Sequence, residues 1–178
     1  MASTPRVWCP GNILIGTRHY GFVYNNGSFT TLSFAGAVDI IATGIKDRGQ
    51  VIGIYDTVPF SGHHGFLYQE GKFRTIDLPD ALNTVPIGIN EQGDIVGVVD
   101  YLPPNGGHSF VLSNGVVTLI DFPDAQRTDA LGINSEGQIV GSYLAQPNPI
   151  TGSIFHGFLA TPTNRRDNEV LKSPFGTP

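Results

Sequence analysis

Cysteine, clustered positive charge and long apolar runs are all scarce in this chain. The single cysteine, Cys9, excludes an internal disulfide and a zinc site built from several thiolates. Lys and Arg number 10 against 15 Asp and Glu, so the net charge is −5 and no basic stripe is available for a phosphate backbone. No apolar stretch is long enough for a membrane-spanning helix. These absences argue against a nucleic-acid partner and against a membrane-embedded chain.

Familiar catalytic signatures are missing as well. The sequence contains no Gly-x-Ser-x-Gly elbow, no phosphate loop and no dinucleotide-binding fingerprint. Mechanisms that use a Ser or Cys nucleophile therefore have no support from sequence motifs.

Glycine and proline are abundant, at 23 and 13 residues, and they recur at regular intervals. The segment Gly-Ile-Asn-Glu-Gln-Gly-Asp-Ile-Val-Gly at 88–97 returns as Gly-Ile-Asn-Ser-Glu-Gly-Gln-Ile-Val-Gly at 132–141, with a weaker copy at 44–53. Gly49, Gly93 and Gly137 are spaced 44 residues apart. Such a period is typical of solenoids, propellers and other repeat arrays.

Each repeat divides into four short segments of strand character separated by glycine-containing turns. We therefore expect an all-β fold, a β-propeller of about four four-stranded antiparallel blades. The alternative is a partial ring that oligomerisation completes. Residues 1–162 form the single repeat domain in this interpretation, and the tail at 163–178 supplies the last outer strand. In the first unit, strands are expected at 6–8 and 12–17.

The connections are predicted to differ at the two ends of the blades. Short Asn-Gly and x-Gly turns, at 25–27, 69–71 and 113–115, favour tight hairpins at one end. The longer loops are expected at the opposite end: 57–63, 102–107 and 145–154 within units, with 79–84 and 123–128 between units. Because long loops on a rigid scaffold usually carry function, we expect any site on this long-loop end. The first strand of each unit, with Gly44, Gly88 and Gly132 in register, is expected to be innermost.

A family resemblance follows from three motifs. The repeat at 88–97, the third-strand sequences His64-Gly65-Phe66-Leu67 and His156-Gly157-Phe158-Leu159, and the run Thr75-Ile76-Asp77-Leu78-Pro79 resemble the HAF repeat of bacterial, mostly extracellular proteins. The resemblance covers about residues 11–162. It implies a propeller-like fold and an extracellular location, and it carries over no reaction. The chain as given has no signal peptide, so a cytoplasmic location is the alternative.

Residues that break the repeat on the long-loop end are the candidates for chemistry. His63 and His19 are the candidate catalytic residues, each weighed against an exposed histidine with no role. Asp56 and Asp100 end the second strands of their units and offer oxygen ligands for Ca²⁺, with a solvated loop carboxylate as the alternative.

Candidate substrate-binding residues are three aromatic side chains and one cation near the same loops: Tyr101, Tyr55, Phe60 and Arg18. Structural roles are expected for residues that recur in every unit. Phe22, Phe66, Phe110 and Phe158 are predicted core residues. His64, His108 and His156 are expected to bond a neighbouring carbonyl, and Asp77 and Asp121 to cap turns.

Three functions are consistent with these observations. The first is a non-catalytic module that binds a glycan, a small molecule or a protein on the long-loop end. The second is a metal-dependent hydrolase of lactones or glycosides, with Asp56 and Asp100 holding Ca²⁺ and His63 as general base. The third is a structural fragment that needs a second copy, so that the chain is either a monomer or a homodimer.

Overall fold

A computed structural model describes residues 8–46, 49–58, 62–103, 106–146, 152 and 154–162. Fourteen β-strands and no α-helix are assigned within these ranges. These ranges contain no helix of the length and apolarity that crossing a membrane requires. The predicted tail strand and the candidate residue Phe60 lie outside the described residues.

The strands form four antiparallel sheets, each following the order of the chain. The first sheet contains β1 (Trp8–Ile15), β2 (Arg18–Asn25) and β3 (Ser28–Thr31). The second contains β4 (Asp39–Lys46), β5 (Gln50–Asp56), β6 (His64–Gln69) and β7 (Lys72–Ile76). The third contains β8 (Asn83–Ile89), β9 (Ile95–Asp100), β10 (Gly107–Ser113) and β11 (Val116–Ile120), and the fourth β12 (Arg127–Ile133), β13 (Ile139–Leu144) and β14 (Phe155–Ala160). The all-β prediction is confirmed.

The first unit differs from the prediction of separate strands at 6–8 and 12–17. A single strand, β1, pairs continuously with β2 from Trp8 to Ile15 across a two-residue turn at 16–17. Gly11 pairs with Phe22 in the same register in which Gly53 pairs with Phe66. This register makes β1 the second strand of its unit. The strand begins at residue 8, nearer the N-terminus than the predicted second strand at 12–17, because Gly11 lies opposite the ring of Phe22.

Neighbouring sheets pack face to face through three apolar clusters. Val23 and Phe66 meet between the first and second sheets, Ile52 and Phe110 between the second and third, and Val96 and Phe158 between the third and fourth. Phe66 and Phe110 are completely buried and Phe158 almost so. Each such side chain stabilises the fold by roughly 1.5–3 kcal/mol. The predicted core role of these three phenylalanines is confirmed.

The first strands β4, β8 and β12 contact one another in turn, and β8 and β12 also pack across the second strands of the preceding sheets. Glycine permits the approach: a Cβ built on Gly88 would lie 3.1 Å from the Cα of Gly132 on the next sheet. Each of these strands also carries a register shift, between Ala42 and Gly44, Pro86 and Gly88, and Ala130 and Gly132. Glycine therefore stands where first strands of neighbouring sheets come close, and the innermost position of these strands stays a prediction.

The two ends of the sheets are built differently, as predicted. Asn26-Gly27, Glu70-Gly71 and Asn114-Gly115 have positive φ at both positions, which is the geometry of tight two-residue hairpins. The ends of β5, β7 and β9 and the starts of β6, β8 and β10 lie together at the opposite end. We call these the short-turn end and the long-loop end.

We predict that Gly97→Ala destabilises the protein severely whereas Gly132→Ala is nearly neutral. A Cβ on Gly97 would lie 2.1 Å from the Val85 carbonyl oxygen, while on Gly132 it would meet one Val140 methyl at an ordinary 3.5 Å. Overpacking against backbone has a cost at the upper end of the usual range, roughly 3 kcal/mol or more. Denaturant unfolding of both variants tests this, and equal midpoints for the two would contradict it.

Candidate functional site

Six polar side chains form a connected row across three sheets at the long-loop end. Most stand at a strand terminus: Asp56 ends β5, Asn83 begins β8, Asp100 ends β9 and Arg127 begins β12. His63 directly precedes β6, and Asp129 lies two residues into β12. We call these six residues the polar row. Antiparallel pairing places them together, since the first residue of one strand lies opposite the last residue of the next, as Asn83 lies opposite Asp100.

The first half of the row joins the second sheet to the third. The Nδ1 atom of His63 lies 2.7 Å from Oδ1 of Asp56, so a carboxylate orients the imidazole. The backbone N–H of His63 donates to Oδ1 of Asn83 at 2.9 Å, and Thr84 N–H donates to the His63 carbonyl at 2.9 Å. The loop before β6 is thereby fixed to the start of β8.

The second half continues to the fourth sheet. Nδ2 of Asn83 donates to Oδ2 of Asp100 at 3.1 Å, and the other Asp100 oxygen lies 4.0 Å from Nη1 of Arg127. Nε of Arg127 donates to Oδ1 of Asp129 at 2.7 Å. This hydrogen bond raises the pKa of Arg127 above its ordinary value; partial burial lowers it, and the negative charges of Asp129 and Asp100 raise it further. The guanidinium therefore stays charged and points along the surface between two carboxylates.

A related pair lies between the first and second sheets. The backbone N–H of His19 donates to the Asp39 carboxylate, and Nδ1 of His19 lies 3.2 Å from Oδ2 of Asp39. His19 and Asp39 stand 44 residues before His63 and Asn83, so this contact is the same link one repeat earlier. Both residues line a cavity of about 220 Å³ that also includes Tyr20 and Phe34.

The sequence-based candidates fall into two groups. His63, Asp56 and Asp100 belong to the polar row, and His19 makes the equivalent contact in the preceding repeat. Arg18 begins β2 and is exposed beside His19. Tyr101 directly follows Asp100 and is partly buried, and its N–H bonds the Gly106 carbonyl at 2.8 Å.

Tyr55 has a structural position that its sequence context did not indicate. It is 6% exposed, its ring packs on Phe34 with centroids 4.6 Å apart, and its hydroxyl lies 3.0 Å from Oγ1 of Thr75. Strand alternation explains the placement, because Tyr55 shares the face of β5 that carries the buried Val51. The geometry therefore places Tyr55 in the core and not at a ligand surface.

Asn83, Arg127 and Asp39 are not among the candidates that the sequence indicates. The signal that identifies them is the repeat itself, since positions 39, 83 and 127 are spaced by 44 residues and hold three different polar side chains. These positions are the starts of β4, β8 and β12, and all three are polar although the residue differs each time.

A second set of His–Asp pairs recurs nearby. Nδ1 of His64 lies 2.9 Å from Oδ2 of Asp77, and Nδ1 of His108 lies 2.9 Å from Oδ2 of Asp121. Asp77 also accepts the Gly65 N–H at 3.2 Å. The sequence predicted a carbonyl partner for these histidines and turn capping for these aspartates. The structure instead pairs each histidine with the aspartate that follows the adjacent strand, which supports the structural role of both.

Calcium coordination requires several oxygen ligands around one point. Within the described ranges, no group of three or more His, Cys, Asp or Glu side chains is arranged to hold a metal ion. Asp56 is bonded to His63, and Asp100 to Asn83, so the two predicted ligands face different partners on different sheets. The donor set described here does not fit Ca²⁺, and no chemical step is assigned to a metal.

A wider cavity, about 720 Å³, lies between the third and fourth sheets at the short-turn end. Its walls include Val111, Ile120 and Ile139, with Asp94 and Glu136 among the polar residues. The corresponding crevice between the second and third sheets is about 200 Å³ and is lined by Arg74, where the wider cavity has Thr118 at the same repeat position. The shorter side chain accounts for part of the difference in volume.

Comparison with known proteins gives no match to a family model, to a curated protein or to a solved structure. The resemblance to the HAF repeat therefore stays a prediction that rests on the repeat motifs themselves.

We predict that Asn83→Ala lowers the free energy of unfolding by about 1–2 kcal/mol, because it leaves the His63 N–H and the Asp100 carboxylate without this partner. The control is Gln126→Ala, whose side chain makes one long, exposed hydrogen bond to Gln146 at 3.4 Å. That variant should stay within about 0.5 kcal/mol of the wild type. Urea denaturation measures both, and a wild-type value for Asn83→Ala would contradict the link between sheets.

Proposed function

We propose that this chain is a propeller-type binding module whose polar row binds a glycan or a similar polyhydroxylated ligand at the long-loop end. The observation that carries the proposal is the continuity of the row from Asp56 to Asp129 across three sheets, made of hydrogen bonds and, between Asp100 and Arg127, of an ion pair at 4.0 Å. His63 and Arg127 are exposed in this row, while the three carboxylates beside them are partly buried.

Sugar hydroxyl groups both donate and accept hydrogen bonds, so a matching surface needs both kinds of group fixed in place. Asp56, Asp100 and Asp129 supply acceptors, and Arg127 supplies a forked donor. Tyr101 follows Asp100 directly. Its ring packs against the apolar cluster between the second and third sheets and lies 6.1 Å from the His108 ring, and its exposed part can pack on a pyranose ring. Alternating donors and acceptors of this kind favour a polyol over an apolar ligand.

Preorganisation also favours binding. The polar side chains are held by one another and by the backbone of three sheets, so little conformational entropy is lost when a ligand arrives. A site on strand ends is held more rigidly than one on loop tips.

The propeller arrangement is part of the proposal. Consecutive four-stranded meanders, glycine-rich first strands that converge, and loops of two kinds at opposite ends are the features of propeller blades. The resemblance to the HAF repeat adds an extracellular location to the proposal, where glycans are common ligands.

A glycan array followed by titration calorimetry tests the proposed function. For a glycan that binds the wild type, Arg127→Ala should weaken affinity by about tenfold or more, as expected for loss of a charge-assisted hydrogen bond. The matched control is Thr118→Arg, which copies Arg74 into the wide cavity at the other end and should leave affinity unchanged. Loss of binding in Thr118→Arg with normal binding in Arg127→Ala would move the site to the short-turn end. An array without any hit would contradict glycan binding.

A hydrolase is the second candidate, favoured by the His63–Asp56 pair, because a carboxylate 2.7 Å from Nδ1 leaves Nε2 of the imidazole oriented as a general base. If lactones or glycosides are hydrolysed, His63→Gln should reduce the rate by about a hundredfold or more. Repeating the assay with EDTA and then with added Ca²⁺ shows whether a metal is needed. Hydrolysis at the buffer rate by the wild type would exclude this candidate.

A further inference from the structure

The first and fourth sheets each leave one apolar face uncovered. These two faces correspond to the two surfaces that pack together wherever neighbouring sheets meet inside the molecule. We call the side of a sheet that faces the preceding sheet its backward face, and the side that faces the following sheet its forward face. The first sheet lacks a neighbour on its backward face and the fourth on its forward face, among the residues that the structure describes.

The forward face can be compared position by position. In the second sheet Ile52 pairs with Leu67, and in the third Val96 pairs with Val111; Ile52 and Val96 are 0% exposed. The equivalent pair in the fourth sheet is Val140 and Leu159, which are 52% and 40% exposed. The residues are apolar in all three repeats. The difference in exposure therefore comes from the following sheet, which covers the second and third sheets and not the fourth.

The backward face shows the same relation. In the second sheet Phe66, Phe73 and Tyr68 form an aromatic cluster, with Phe73 centroids 5.2 Å from Phe66 and 4.9 Å from Tyr68, and Phe66 is buried against the first sheet. The first sheet repeats this cluster as Phe22, Phe29 and Tyr24, at centroid distances of 5.5 and 5.0 Å.

Within the part of the chain that the structure describes, no sheet covers the cluster in the first sheet. Phe29 is 70% exposed there, and Ile13, on the same face of the sheet, is 52% exposed. The first strands agree with this pattern: a Cβ on Gly44 or Gly88 would approach the next sheet, whereas on Gly132 it would meet no atom of another sheet within 4 Å.

We propose that a second copy of this chain covers these faces head to tail, with the forward face of the fourth sheet of one copy packed on the backward face of the first sheet of the other. The two surfaces are complementary because each repeats a surface that is buried against its counterpart at the junctions between sheets in the same molecule. Such contacts are heterologous, and two copies that form both of them close a ring. The inference rests on sheet packing and is independent of the ligand proposed above.

Light scattering during size exclusion tests the assembly. A particle of two chains, each of 19.1 kDa, is expected for the wild type. Two double variants place acidic residues on exposed positions of one face each: Val140→Glu with Leu159→Glu on the forward face, and Ile13→Glu with Phe29→Glu on the backward face. Each should be monomeric with the circular dichroism spectrum of the wild type. Val116→Glu, at an equally exposed apolar position on β11 of an internal sheet, should remain assembled.

Mixing the two double variants gives the decisive result. The forward-face variant keeps an intact backward face, and the backward-face variant keeps an intact forward face. A head-to-tail contact therefore predicts a one-to-one heterodimer with a single interface. Both variants carry added acidic residues, so the rescue cannot come from a new ion pair. If the glutamates prevent folding, Val140→Thr with Leu159→Gln and Ile13→Thr with Phe29→Gln make the same comparison. A monomeric wild type, an assembly that survives both double variants, or a mixture that stays monomeric would overturn the proposal.

Discussion

The packing of one phenylalanine ring over one glycine is the contact on which the rest of the fold depends. In each sheet the glycine of the second strand lies opposite the phenylalanine of the third, as Gly53 lies opposite Phe66 and Gly141 opposite Phe158. A Cβ on these glycines would lie within 2.9 Å of the ring and closer still to a backbone carbonyl. In the second, third and fourth sheets the ring also belongs to the apolar cluster shared with the preceding sheet, so this one pair fixes both the register within a sheet and the distance between sheets.

That contact also explains where the polar groups go. Because the sheets are held together through their centres by apolar clusters, the strand termini are left for polar side chains, and these become neighbours across sheets. Asn83 illustrates the point: its side-chain oxygen accepts from the second sheet while its nitrogen donates to Asp100 within the third. The polar row is thus a consequence of the same repeat geometry that builds the core. Arg127 stands where the two preceding repeats have Asp39 and Asn83, and its positive charge makes the row chemically distinct from the junction between the first and second sheets.

The repeat period and the turn residues were sufficient to predict an all-β fold, tight hairpins at one end and core phenylalanines. They were not sufficient for β1, because the position of Gly11 beneath Phe22 is visible from strand register and not from local strand propensity. Tyr55 was assigned to a ligand surface because it stands near a long loop, yet the alternation of side chains along β5 points it into the core. No local sequence motif identifies Asn83 or Arg127. Each becomes important through a partner on a neighbouring sheet, His63 for Asn83 and Asp100 for Arg127, and the sequence does not show that these residues lie together.

Hydrogen exchange with and without a bound glycan tests the central claim most directly, since it locates the ligand without altering the protein. If the polar row is the binding site, backbone amides around residues 62–64, 83–84, 100–102 and 127–129 should exchange more slowly in the complex, while those around 133–137 at the short-turn end should not change. Protection concentrated at 133–137, or none at the long-loop end with the glycan saturating, would contradict the assignment of this surface as the functional site.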